Sequence, residues 1–177
     1  MLRHLGVETR EVRLPSHLDG LHGLIIPGGE STTIGKLAVT YDLIRPLRTF
    51  AQEHAIWGTC AGAIFIAKEV YRDQPLLKLM NISIQRNAFG RQVNSFVHEL
   101  LVPALEQPER PFRAVFIRAP IIENIGQNVS VIAELSNGNN SIIVSARENR
   151  FFATSFHPEL TKDDRFHRYF LEMVEEG

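Results

Sequence analysis

The chain has 177 residues, 44% apolar and 22% charged, a globular mixture that excludes a disordered or low-complexity segment. Its 19 Lys+Arg and 20 Asp+Glu give a formal net charge of -1, so it offers no excess of positive charge to nucleic acid or to an anionic membrane. The single cysteine, Cys60, can form no intramolecular disulfide, and no apolar run approaches the ~20 residues of a membrane helix.

These features predict one soluble, cytoplasmic domain over residues 1–177. The opening Met1-Leu2-Arg3-His4-Leu5-Gly6 has no apolar core like that of a signal peptide. Gly23 to Pro27 is a short apolar burst, too short for a helix, and predicts a buried strand. Gly28-Gly29 allows a sharp turn, after which Ser31 or Thr32 can cap a helix. Asp42 to His54 reads as a second helix, with Pro46 tolerable only near its first turn. Ala55 to Gly58 is another short strand, and Ala61 to Val70 has helical composition. Strand, turn and helix, repeated, suggest parallel βα units.

The later half changes character. Asn81 to Arg86, Val93 to Val102 and Phe112 to Ile117 are strand-like, with Pro103, Pro108 and Pro111 between the last two. Val129 to Leu135 and Ser141 to Ala146 flank Asn137-Gly138, a hairpin signal. Phe151 to Phe156 is one more apolar run, and Asp163 or Asp164 can cap a last helix ending near Val174. The expected fold is α/β, with a parallel core and antiparallel additions.

Cys60 lies in Gly58-Thr59-Cys60-Ala61-Gly62, between a predicted strand and a predicted helix. This is the G-x-S-x-G nucleophile elbow with sulfur in place of oxygen. Small neighbours allow the tight turn, and a following helix turns N–H groups toward the sulfur, which favours the reactive thiolate. A buried core thiol is the ordinary alternative, and the flanking glycines argue against it. His157-Pro158-Glu159 ends the last apolar run. In extended chain, residues two apart face one side, so Glu159 can bind one nitrogen of His157 and leave the other free. That is the base and orienter of a triad. Gly28 and Gly29 can direct backbone N–H groups at a developing oxyanion, with the Ala61 N–H as the second donor. Gly29 to Lys36 fails as a phosphate loop, because its glycines are wrongly spaced and Leu37 stands where Ser or Thr is required. The seven histidines lack paired metal-ligand spacing. Arg86, Arg91 and Arg118 fall beside predicted strand ends, where anionic substrate groups often bind.

Five blocks stand in order: Pro27 to Thr33, Gly58 to Gly62, Arg86 to Gln92, Phe116 to Pro120 and Ser155 to Thr161. Together they resemble the glutaminase subunits of the ribose-5-phosphate-dependent pyridoxal 5'-phosphate synthase, over nearly the whole chain from Leu5. The resemblance implies a class I glutamine amidotransferase fold, a doubly wound, mostly parallel α/β sheet in a flavodoxin-like three-layer sandwich. It implies hydrolysis of L-glutamine, with Cys60 as nucleophile, His157 as acid/base and Glu159 as orienter. Gly29, Glu30, Ser31, Arg86, Ile117 and Arg118 would line the glutamine site. The implied partner is a ring-shaped synthase carrying one glutaminase per subunit, which receives the ammonia and completes the oxyanion hole. No metal or organic cofactor is implied. Another triad-type amidotransferase, a γ-glutamyl hydrolase and an inactive docking module for the synthase are the alternatives.

Two departures stand out. Lys78 takes the place of a glycine in the family's Leu-Gly-Leu segment. Members of that family also open with an apolar strand, a Leu-Gln-Gly turn and a full helix, whereas Met1 to Gly6 matches only the end of that helix. The expectation is a sheet lacking its first strand, with unpaired backbone on the neighbouring strands. A version extended at its N-terminus by that strand should then melt at a higher temperature, and equal thermal midpoints would contradict this.

Overall fold

The computed structural model describes residues 1–86, 95–137 and 140–176. The apolar run after Gly23 forms strand β1, Gly23–Ile26. Helices α1, Ser31–Thr40, and α2, Ile44–Phe50, lead to strand β2, Ala55–Thr59, and helix α3, Ala61–Ile66. Strands β3, Ala67–Val70, β4, Met80–Gln85, β5, Ser95–Leu100, β6, Phe112–Ile117, and β7, Ile121–Ile125, follow. Strands β8, Ser130–Asn137, β9, Asn140–Glu148, and β10, Phe151–Thr154, precede helix α4, Arg165–Glu175. No helix among the described residues is long and apolar enough to cross a membrane.

The main sheet runs β1-β2-β10-β9-β7-β4-β3, with β8 on the other edge of β9. β1, β2 and β10 pair in parallel, as do β3 and β4. The pairings β10–β9, β9–β7, β7–β4 and β8–β9 are antiparallel. The sheet is therefore mixed rather than mostly parallel. One edge of β9 serves β10 near Ser145 and β7 at Ile143, so two strands share it and the sheet curls strongly. β5 and β6 form a separate antiparallel pair.

Alternation along the strands gives two cores. Ile56 and Ala153 face the core under α1, α2 and α3, while Ala55, Trp57 and Phe152 face the core under α4 and the β5–β6 pair. The second core is aromatic. Phe112, Phe116, Phe152, Phe156 and Phe166 are fully buried, and burying each contributes on the order of 2–3 kcal/mol relative to exposure. Trp57 donates its indole N–H to the Thr154 hydroxyl at 3.1 Å, so the neighbouring β2 and β10 are also joined through side chains.

Several expectations need correction. Glu30, not Ser31 or Thr32, caps α1: its carboxylate accepts the Thr33 N–H at 2.9 Å, which satisfies a first-turn donor. The helix expected over 61–70 stops at Ile66, because Ala67–Val70 pairs with β4 and gains ladder hydrogen bonds. The second helix is shorter than 42–54, and β7 was not anticipated. The Asn137-Gly138 signal is consistent with the β8–β9 pairing, which closes at Asn137 and Asn140, although Gly138 lies outside the described residues. At Asp164 no side-chain cap forms. Instead Asp163 accepts the Arg165 N–H at 3.2 Å. The buried Arg165 guanidinium meanwhile donates to the carbonyls of Glu106, Gln107, Arg110 and Pro111, fastening that loop to α4.

Lys78 has φ 56°, a left-handed conformation that costs an L-residue roughly 1–2 kcal/mol. This explains why glycine suits the position. Lys78→Gly relieves the strain but frees the unfolded chain, and the net expectation is a gain of about 0.5–1 kcal/mol in urea unfolding. A loss of stability would contradict the strain assignment.

Candidate active site

The site forms where β1, β2 and β10 end side by side. Register pairs Ile26 with Gly58 and Thr59 with Thr154, so Gly28, Cys60 and His157 leave neighbouring strands at the same end. Cys60 is the N-cap of α3 and has φ 49°, the sharp positive-φ turn of a nucleophile elbow. The turn is held by the Cys60 N–H, which donates to the Thr154 carbonyl at 2.7 Å. Gly62 is required there, because a Cβ would fall 1.9 Å from the Ile26 carbonyl oxygen. The Cys60 residue is 6% exposed, and Ala61, the first residue of α3, is buried beside it.

His157 is held by its own N–H, which donates to the Val115 carbonyl of β6 at 2.9 Å. Its Nδ1 lies 2.8 Å from Glu159 Oε1, and the ring also lies close enough to the Cys60 sulfur for the sulfur to act on its charge. The three side chains thus form one line. A 3-10 turn over Pro158–Leu160 aims Glu159, rather than the extended chain expected from sequence, because Pro158 fixes its φ and starts the turn. The imidazole is pushed up from 6.5 to about 10, first by the sulfur and then by Glu159, against the opposing effect of burial. Burial pushes Glu159 up, but the His157 hydrogen bond and the local N–H outweigh it, so its carboxyl sits below the ordinary value.

Gly28 lies directly under this ring. A Cβ there would sit 2.3 Å from His157 Cε1, so any side chain would displace the imidazole. Gly29 follows with φ 148°. The Ile117 carbonyl oxygen is 3.9 Å from Cys60 Sγ, which brings the end of β6 to the sulfur, and Arg118 follows with φ 44° and an exposed side chain.

A second group lies at the start of α1. Glu30 Oε1 pairs with Arg86 Nη2 at 2.8 Å. The Glu30 carboxyl is held at about 2, chiefly by the Thr32 hydroxyl and further by the Thr33 N–H and Arg86, against a smaller opposing effect of burial. Ser31 is buried and donates its hydroxyl to Gln74 Oε1 at 3.2 Å. Gln74 was not foreseen. It lies between β3 and β4 in Asp73-Gln74-Pro75, where no motif or periodicity marks it. Arg91 and the rest of the block 87–92 lie outside the described residues.

The line of contacts predicts a specific titration. His157 is raised in the fold, so its stabilising contribution is complete below pH 6.5 and is lost as pH rises through about 10. The NMR signal of its Cε1–H should titrate near 10, and Cys60→Ala, which removes the largest cause, should lower that midpoint. Equal midpoints in the two proteins would contradict the sulfur–imidazole contact.

Comparison with known proteins gives the family. The SNO glutamine amidotransferase family matches residues 1–176. The chain is 53% identical over 177 residues to "Pyridoxal 5'-phosphate synthase subunit PdxT" of Roseiflexus castenholzii, covering 98% of this chain and 91% of that one. It is 54% identical over 176 residues to the subunit of the same name from Herpetosiphon aurantiacus, covering 97% and 90%. A crystal structure described as a glutamine amidotransferase superposes with a TM-score of 0.90 at 48% identity, over 98% of this chain and 90% of that one. This chain belongs to the SNO glutamine amidotransferase family.

Proposed function

We propose that the chain is the glutaminase subunit of a pyridoxal 5'-phosphate synthase, hydrolysing L-glutamine to L-glutamate and ammonia. The observation that carries this is the unbroken line Cys60–His157–Glu159 in a member of a glutamine amidotransferase family. In this reading the Cys60 thiolate attacks the carboxamide carbon. Backbone N–H groups of Gly28, Gly29 and Ala61 stabilise the oxyanion, each worth about 3–4 kcal/mol where well aimed. The His157 N–H that faces the sulfur protonates the departing ammonia, leaving a γ-glutamyl thioester on Cys60. The same nitrogen then takes a proton from water, whose oxygen attacks the thioester and releases glutamate and the thiolate. Glu159 keeps the ring oriented and favours its charged form throughout.

Glutamine carries an ammonium and a carboxylate at its α end. Glu30 suits the ammonium and Arg86 the carboxylate, with Gly29, Ser31, Ile117 and Arg118 as the remaining lining. The fold then corresponds to the doubly wound sheet of class I amidotransferases. The relatives' name implies a synthase subunit as partner, and a ring-shaped synthase assembly is the form proposed for it. The ammonia passes to that partner.

Glutamate release should be measured with and without the synthase subunit. Partner-stimulated release should fall by more than about a thousandfold in Cys60→Ala, which lacks the nucleophile. Undiminished release in that variant, or none from the folded wild-type pair, would refute the reading.

A further inference from the structure

The group at the start of α1 has a hub that neither charge supplies. Gln74 Oε1 accepts from the Ser31 hydroxyl at 3.2 Å and lies 3.4 Å from Arg86 Nη1. The other arm of the same guanidinium, Nη2, pairs with Glu30 at 2.8 Å. One amide oxygen thus connects two residues from separate parts of the chain. Among the described residues the Gln74 Nε2 has no hydrogen-bond partner although it is buried, a costly arrangement. Exchanging the amide's oxygen and nitrogen would not help, since the Arg86 guanidinium, which can only donate, would then face a donor.

The segment that carries Gln74 is built into place. Pro75 packs on Gly35, one helical turn after Ser31, so closely that a Cβ on Gly35 would lie 2.7 Å from the Pro75 carbonyl oxygen. Arg48 donates to the carbonyls of Leu77 at 2.9 Å and Leu76 at 3.2 Å. The Leu77 N–H donates to the Phe65 carbonyl at 2.8 Å, tying the segment to α3. Gln74 is therefore presented from a fixed backbone, whereas Arg86 carries a long side chain with considerable rotamer freedom to lose. Orienting that side chain before binding lowers the entropic cost of capturing substrate.

We infer that Gln74 is a positioning residue for the α end of the substrate. It fixes Arg86 beside Glu30 so that the two charges together receive the ammonium and carboxylate of an L-α-amino acid. The inference rests on the glutamine-site reading given above. Gln74 acts through Arg86 and Ser31 and takes no part in the chemistry at Cys60.

Covalent labelling of Cys60 tests this without requiring turnover. 6-Diazo-5-oxo-L-norleucine keeps the α-amino-acid end, and iodoacetamide lacks it. In Gln74→Met, which has similar length but no amide, the second-order labelling constant for the diazo compound should fall about tenfold. That for iodoacetamide should stay within about twofold, because nothing at the sulfur has changed. Glu30→Gln, run alongside, should also slow the diazo compound. Slowing of both reagents by Gln74→Met, or a lowered thermal midpoint with both slowed, would assign Gln74 a merely structural role and overturn the inference. Normal diazo labelling in Gln74→Met with slowed labelling in Glu30→Gln would overturn the inference alone. Normal labelling in both variants would overturn the glutamine-site reading and the inference with it.

Discussion

Cys60 and His157 meet because β2 and β10 are parallel neighbours. Parallel strands end on the same side of a sheet, so the residues that follow them share one crevice. The register pairs Thr59 with Thr154, and the Cys60 N–H continues the ladder to the Thr154 carbonyl. A register slip of one residue would reverse the facing of Trp57 and Phe152, which are fully buried, so packing of the aromatic core protects the placement of the sulfur. The reactive geometry is thus set by strands rather than by loops.

Several strained and crowded positions lie at this strand end. Cys60 and Arg118 have positive φ, Gly62 touches the Ile26 carbonyl, and Gly28 touches the imidazole. Such costs persist only where the surroundings over-determine them. Two backbone bonds do this work, from Cys60 to Thr154 and from His157 to Val115, together with cores on both faces of the sheet. The substrate end proposed around Glu30 and Arg86 is organised differently, through side chains anchored on a helix start and a clamped segment.

Much of this was legible in the residues. The glycine-flanked Cys60 after an apolar burst predicts the elbow, and His157 two residues before Glu159 predicts their pairing, although a 3-10 turn rather than a strand delivers it. The short apolar runs at Gly23, Ala55 and Phe151 become the three parallel strands. What could not be read depends on distant pairing. Ala67–Val70 has helical composition and becomes a strand because β4 offers it an edge. Glu30 takes the cap because its carboxylate reaches the Thr33 N–H, where a shorter cap was expected. Gln74 follows no local pattern, and its partners Ser31 and Arg86 are 43 and 12 residues away. Lys78 shows the converse case, in which a residue that breaks the expected pattern marks a backbone position with positive φ.

The central claim is that the Cys60 sulfur is the atom that attacks glutamine. Acid quenching of the protein with its synthase partner during turnover of L-glutamine, followed by peptide mass spectrometry, reads this directly. The account predicts a γ-glutamyl thioester on the peptide that contains Cys60. Ammonia production with no adduct on that peptide, or with the adduct on another residue, would contradict it.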